Sequence, residues 1–154
     1  MHRVKNVKST ELFPAISDLL KNNQKVRITV TGNSMMPFLR EGIDSIELSK
    51  ASLDELHFGQ IPLIKRSNGQ YILHRLIYKS KSSFYIAGDA QLWVEGPLLP
   101  EQLIAVVTQI WRKDKPVSPE NILLRAISLI WWLRLPAIYA IKIPYRFIKR
   151  KIRT

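Results

Sequence analysis

Residues 61–79, IPLIKRSNGQYILHRLIYK, carry the strongest fold signal in the chain. An Asn-Gly pair at 68–69 separates two apolar segments, and this pair is the strongest short-range signal for a β-hairpin. We therefore predict that residues 61–66 and 71–79 form two strands that pair antiparallel. Alternation in the second strand places His74 on a face otherwise formed by apolar residues.

Similar patterns extend over most of the chain. Residues 25–31, KVRITVT, alternate apolar and polar residues as a half-buried strand does. Residues 10–22 predict a helix, with leucine and isoleucine on one face after a Ser/Thr cap. Further strands are predicted at DSIEL (44–48), SSFYIAGD (82–89) and LIAVVTQIWRK (103–113). Residues 1–114 are therefore predicted to form a mainly β, largely antiparallel domain with a short N-terminal helix.

The C-terminal quarter has a different composition. The segment KPVSP (115–119) predicts a linker, and residues 118–154 hold eight basic residues and one acid among many apolar side chains. Basic and apolar character together favour an anionic membrane surface as the partner. We therefore expect residues 120–154 to form a helical, membrane-associating tail.

The tail is not predicted to cross the membrane cleanly. A spanning helix needs about 20 apolar residues, and Arg134 lies near the centre of the longest apolar stretch, where insertion of an arginine costs roughly 2.5–3.5 kcal/mol. An interfacial or re-entrant segment fits this pattern better. The alternative, a helical pair packed on the domain or on a partner protein, stays open.

Composition excludes several kinds of site. The chain of 154 residues has no cysteine, so disulfides, thiolate metal sites and a thiol nucleophile are excluded. Its three histidines have no metal-ligand spacing, and we expect no metal and no cofactor. The net charge of +12 could suit nucleic acid, but no nucleic-acid-binding motif accompanies it, and we expect no such partner.

Three residues are candidates for hydrolytic chemistry. Ser34 follows a predicted strand directly after Gly32, where the backbone can turn sharply. His74 would lose solvation among apolar neighbours, which favours its neutral, basic form. Asp89 ends a strand and could orient the imidazole. Each has a structural alternative: a surface turn, a buried structural histidine and an Asx-type turn.

The order of these pieces resembles that of a known family. GNSMMPFLREGIDSIEL, FGQIPLIKR, GQYILHRLI, FYIAGDAQLW and LIAVVTQIWR, within residues 12–113, are together similar to the signal peptidase I-like serine peptidases, whose superfamily includes the LexA-type autoproteases. The resemblance implies a coiled, largely antiparallel sheet with a peptide groove. It also implies Ser34 as nucleophile, His74 as base, as in the archaeal and endoplasmic-reticulum type, and Asp89 as the acid completing the site.

Two positions depart from the family pattern. Gly59-Gln60 stands where the family often has Gly-Asp. Gly32 stands where many bacterial members have a serine that donates to the oxyanion. The remaining donor candidates are the Ser34 backbone N–H and the Asn33 side-chain amide. Met35 could line the substrate groove or pack in the core beneath the turn.

The leading function is therefore a membrane-associated serine endopeptidase that removes a leader or signal segment from a peptide or protein substrate. Because no export signal begins the sequence, we expect it at the cytoplasmic face. A LexA-type autoprotease is disfavoured, since the only Ala-Gly pair, at 87–88, follows the histidine. A catalytically weak peptide-binding or scaffold protein on the same fold remains the alternative.

Overall fold

Residues 9–117, with side chains from residue 12, are described by the computed structural model. In chain order the elements are α1 (Ser9–Lys21), β1 (Val26–Thr29), β2 (Asp44–Ser49), β3 (Pro62–Lys65), β4 (Tyr71–Leu73), β5 (Arg75–Lys79), β6 (Phe84–Ala87), β7 (Glu95–Leu98), a 3-10 turn (Pro100–Gln102), β8 (Leu103–Arg112) and β9 (Lys115–Val117). The prediction of a mainly β fold with a short N-terminal helix and a strongly curled antiparallel sheet is confirmed.

Two sheets divide the strands. The first has the order β1-β2-β8-β3-β4, with β9 also paired to β8, and the second has the order β5-β6-β7. The longest strand, β8, pairs with β2, β3 and β9, always antiparallel. The register shifts between Glu47 and Leu48 and between Leu63 and Ile64. Such irregularities bend strands and increase their twist, which fits the curl of this sheet.

The predicted strand 71–79 is divided at His74. Leu73 pairs with Leu63 in the first sheet, whereas Arg75 pairs with Ala87 in the second. His74 is therefore the point at which the chain passes from one sheet to the other. The simple alternation predicted for this strand is wrong, because three consecutive residues, His74 to Leu76, are buried where the chain changes sheets.

The hairpin between β3 and β4 is confirmed as antiparallel, but its loop is longer than the two residues that the Asn-Gly pair suggests. The N–H of Arg66 donates to the carbonyl of Gln70 at 2.8 Å, so three residues, 67–69, form the loop. Gly69 has a φ of +84°, the left-handed conformation that the last position of a three-residue hairpin loop requires. Arg66 therefore lies between the end of β3 and the loop.

Apolar side chains from both sheets form a shared core. Its buried members include Ile64 and Val106 from the first sheet and Leu76, Phe84, Ile86 and Leu98 from the second. Helix α1 buries Ile16 and Leu20, as its amphipathic pattern predicts. The shared core holds the two sheets together at the position where His74 connects them.

Two segments differ from the sequence prediction. Residues 115–117, predicted as the start of a linker, pair with β8 as β9, and β7 was not predicted because its Gly96-Pro97 sequence lacks strand character. The chain divides into a unit of residues 1–119 and a second unit of residues 120–154. The predicted helical tail at 120–154 lies outside the described residues.

Candidate active site

The junction between the two sheets buries the candidate base. His74 is only 1% exposed, and its backbone N–H donates to the carbonyl of Pro62 at 3.4 Å. Burial lowers the pKa of His74 from 6.5 to about 4 and is the largest influence on it; the charges of Glu95 and Asp89 act to raise this pKa, and that of Arg66 acts to lower it. The imidazole is therefore neutral at physiological pH and can accept a proton.

Gly88 lies next to both the candidate nucleophile residue and the candidate base. A Cβ atom at this position would lie 2.7 Å from the backbone carbonyl oxygen of Ser34 and 3.0 Å from Nε2 of His74. Both distances are shorter than ordinary contact, so only glycine leaves both groups undisturbed. The fold thus brings the Ser34 residue and the Nε2 edge of His74 to one place, although 40 residues separate them in sequence.

The Ser34 turn is held from both sides. The carbonyl of Ser34 accepts a hydrogen bond from the N–H of Ala90 at 2.8 Å, which ties the turn to the segment after β6. Gly32 has a φ of +80°, and its N–H donates to Oε1 of Glu41 at 3.0 Å. The chain therefore leaves β1 through a glycine, as the sequence predicts, and Ser34 lies partly exposed above the core.

No direct hydrogen bond joins the Ser34 hydroxyl to the His74 ring among the residues the structure describes. Catalytic hydrogen bonds are often long or poorly aligned before substrate binds. A change of the Ser34 side-chain rotamer redirects its hydroxyl without moving the backbone that Ala90 holds.

Asp89 makes no hydrogen bond to the imidazole among the described residues and is instead bonded to Arg75. Its two carboxylate oxygens accept hydrogen bonds from Nε and Nη2 of Arg75 at 2.8 and 2.5 Å, and both side chains are more than nine-tenths buried. Nη1 of Arg75 also donates to the carbonyl of Gly59 at 2.7 Å. Asp89 is therefore a member of a buried ion pair with Arg75.

Glu95, which sequence reasoning missed, is the acid beside His74. Its Oε2 lies 4.0 Å from Nδ1 of His74, and Arg66 holds the same carboxylate through two hydrogen bonds of 2.7 and 2.5 Å. These bonds from Arg66 outweigh the effect of burial and lower the pKa of Glu95. Glu95 is therefore ionised at neutral pH.

The Nδ1 atom of His74 is buried and has no hydrogen-bond partner within residues 9–117. The separation of 4.0 Å from Glu95 exceeds hydrogen-bonding distance, and the two groups form an ion pair only when the ring is protonated. Glu95 and Arg66 belong to different sheets, so no local sequence pattern could have joined them to the histidine.

Oxyanion donors are available near the nucleophile. The Ser34 N–H donates to no described residue, whereas the N–H of Gly32 is already bonded to Glu41. The Asn33 side chain is exposed at the turn. Gln91 does not serve as a donor in this arrangement, because the atom that lies 3.0 Å from a Cβ at Gly88 is its Oε1, a buried acceptor without a hydrogen-bond partner in the described part of the chain.

The apolar residues after Ser34 divide between core and surface. Met35 is 2% exposed and Phe38 is also buried, with its ring 4.5 Å from the Arg75 guanidinium carbon. Of the two interpretations of Met35, this burial favours core packing over groove lining. Met36 is 37% exposed and presents the apolar surface at this turn instead.

Sequence similarity to known proteins assigns no function to this chain. No protein-family model matches the chain, and no curated protein has significantly similar sequence. Within residues 9–117, no cluster of His, Asp or Glu side chains could hold a metal ion. None of the helices in that range has the length and apolar character needed to cross a membrane.

Proposed function

We propose that this chain is a serine endopeptidase related to the signal peptidase I-like family, with Ser34 as nucleophile and His74 as general base. The observation that carries the proposal is the position of Gly88 between the two residues. A Cβ atom on Gly88 would lie within 3.0 Å of both the Ser34 carbonyl oxygen and Nε2 of His74. A hydroxyl nucleophile needs a base within reach, and this juxtaposition of the two residues supports the assignment.

The reaction follows from these groups. Nε2 of His74 takes the proton of the Ser34 hydroxyl as Oγ bonds to the scissile carbonyl carbon. The Ser34 N–H, aided by the Asn33 side-chain amide, stabilises the negative oxygen of the tetrahedral intermediate. The peptide C–N bond then breaks as the imidazolium gives its proton to the leaving amine. Water, activated by the same base, hydrolyses the acyl-enzyme and restores Ser34.

The substrate is proposed to bind as an extended peptide. Strand β5 is the terminal strand of the second sheet, but its Leu76 exchanges backbone hydrogen bonds with Gly59 and Gln60. Strand β4, which precedes His74, is the terminal strand of the first sheet and has one edge without a described partner strand. Such an edge can accept a peptide as an additional strand through main-chain hydrogen bonds. An extended leader segment running along this junction would bring its scissile bond toward Ser34.

A membrane-surface location is part of the proposal. Its support is compositional: residues 120–154 combine apolar residues with the basic cluster at 149–153. We propose that this segment holds the enzyme at the cytoplasmic face of a membrane. Co-sedimentation of the full chain with anionic vesicles should fall when Lys149, Arg150 and Lys151 become Gln; unchanged binding would contradict the role of this cluster.

The direct test is cleavage by the purified full chain. It is incubated with unfolded polypeptides and anionic vesicles, and new N-termini are identified by mass spectrometry. Specific new termini should appear with wild type and with the loop control Ser67→Ala, but not with Ser34→Ala or His74→Gln. Termini that persist in Ser34→Ala would refute the assignment of the nucleophile.

A peptide-binding protein without turnover is the second candidate. It is favoured by the missing hydrogen bond between the Ser34 hydroxyl and His74 among the described residues. A protein of this kind should bind peptide without producing new N-termini, and wild type and Ser34→Ala should bind it equally.

A further inference from the structure

The candidate base presents two different edges to its surroundings. Its Nε2 atom lies beside Gly88, which also contacts the Ser34 carbonyl, and its Nδ1 atom lies 4.0 Å from Oε2 of Glu95. For His74 to accept the Ser34 proton at Nε2, the ring proton must lie on Nδ1 in the resting state. A negative group beside Nδ1 favours that tautomer and stabilises the imidazolium that forms during the reaction.

We infer that Glu95, held in place by Arg66, is the positioning residue for His74, and that Asp89 instead maintains the local fold through Arg75. The inference rests on the proposed function for its catalytic meaning, but the geometry stands without it. Each carboxylate is held by an arginine, but only Glu95 places an oxygen, Oε2, 4.0 Å from the buried, unpartnered Nδ1 of His74, whereas the hydrogen bonds of Asp89 all go to Arg75.

The two sheets supply the parts of this arrangement. Glu95 begins β7, opposite Ile86, in the second sheet, and Arg66 follows β3 in the first. Their two hydrogen bonds connect the sheets beside the residue at which the chain crosses between them. Arg66 therefore fixes both oxygens of the carboxylate, including Oε2, the oxygen nearest to Nδ1 of His74.

The charges around His74 predict opposite effects for two substitutions. Glu95 and Asp89 raise the pKa of His74, and Arg66 lowers it. Arg75, the neighbouring residue, is neutralised by Asp89. Removing the Glu95 charge should therefore shift the His74 pKa downward and reduce the Nδ1-protonated tautomer, whereas removing the Arg66 charge should shift the pKa upward.

The test is nitrogen-15 NMR of the histidine rings in the full-length protein, with His74 assigned from the spectrum of His74→Gln. We expect wild type near pH 7 to carry the ring proton on Nδ1. Glu95→Gln should reduce that population, and Arg66→Gln should raise the His74 pKa above about 4. The matched control Glu101→Gln, at an exposed acid in the 3-10 turn, should change neither.

A resting proton on Nε2, or a His74 titration unchanged by Arg66→Gln, would overturn the assignment. The wild-type tautomer decides the question even if Glu95→Gln fails to fold. These measurements need no substrate, so they can support the Glu95 assignment even if Ser34-dependent cleavage is absent. Where cleavage occurs, Glu95→Gln should also move the acidic limb of its pH–rate profile.

Discussion

The buried neutral histidine predicts a specific dependence of stability on pH. The folded-state pKa of His74 is about 4, against 6.5 in an exposed reference state, because burial disfavours the charged ring. Between pH 6.5 and about pH 4, His74 therefore binds a proton in the unfolded chain but not in the folded chain. Stability from His74 is fully present above pH 6.5 and is lost as pH falls toward 4.

The size of the effect follows from the pKa difference. Each pKa unit corresponds to 1.36 kcal/mol, so the full contribution is about 3 kcal/mol. Between pH 7 and pH 5 the loss from this residue should be about 2 kcal/mol. Glu95 acts in a lower window: its pKa lies below the ordinary 4.5, so its stabilising contribution is lost as pH falls below that value.

Urea unfolding at pH 7, 6 and 5, followed by circular dichroism, measures this contribution. Wild type should lose about 2 kcal/mol more than His74→Gln over that range, because glutamine does not titrate. Equal pH dependence in the two proteins would refute the argument that His74 is held neutral by burial. It would also remove the reason for regarding His74 as a base at neutral pH.

Two further substitutions test the surroundings of the site. In Gly88→Ala, the added methyl lies 2.7 Å from the Ser34 carbonyl, where ordinary contact begins at 3.4 Å. The displacement of about 0.7 Å should reduce Ser34-dependent cleavage by roughly 10²-fold and the free energy of unfolding by about 1–3 kcal/mol. In Asp89→Asn, the buried Arg75 loses its counter-charge; urea unfolding should show a loss of about 3–5 kcal/mol.

Matched controls separate these effects from general destabilisation. Gly42→Ala strains a backbone with φ of +69° but meets no atom within 4 Å, so it should lower stability while leaving cleavage by the folded protein intact. Asp18→Asn removes an exposed pair with Lys21 and should cost at most about 1 kcal/mol. Similar loss of cleavage in Gly42→Ala and Gly88→Ala would contradict the steric argument.

Sequence patterns predict most of the local structure. The β3–β4 hairpin, the alternation in β1 and the amphipathic face of α1 depend on neighbouring residues and are therefore visible in sequence. Strand β7 was missed because Glu95 to Leu98 contains glycine and proline. The division of the 71–79 strand was missed because it results from pairing with two different sheets, a nonlocal property.

In the candidate site, too, local sequence motifs are predictable whereas contacts made only by the fold are not. Its two principal residues were found from short motifs around Ser34 and His74. The roles of the acids were not predictable, because Asp89 and Glu95 are each bound by an arginine brought close only by the fold. The need for glycine at position 88 likewise arises from contacts with Ser34 and His74, which are distant in sequence.

The central claim, that Ser34 cleaves peptide bonds in the cell, is tested most directly by N-terminal proteomics of the source cells. Cells producing wild type are compared with cells producing Ser34→Ala at equal abundance. The account predicts a small set of N-termini that disappear in the mutant and share a leader-like segment before the cleavage site. Identical profiles would contradict it and would favour the peptide-binding function.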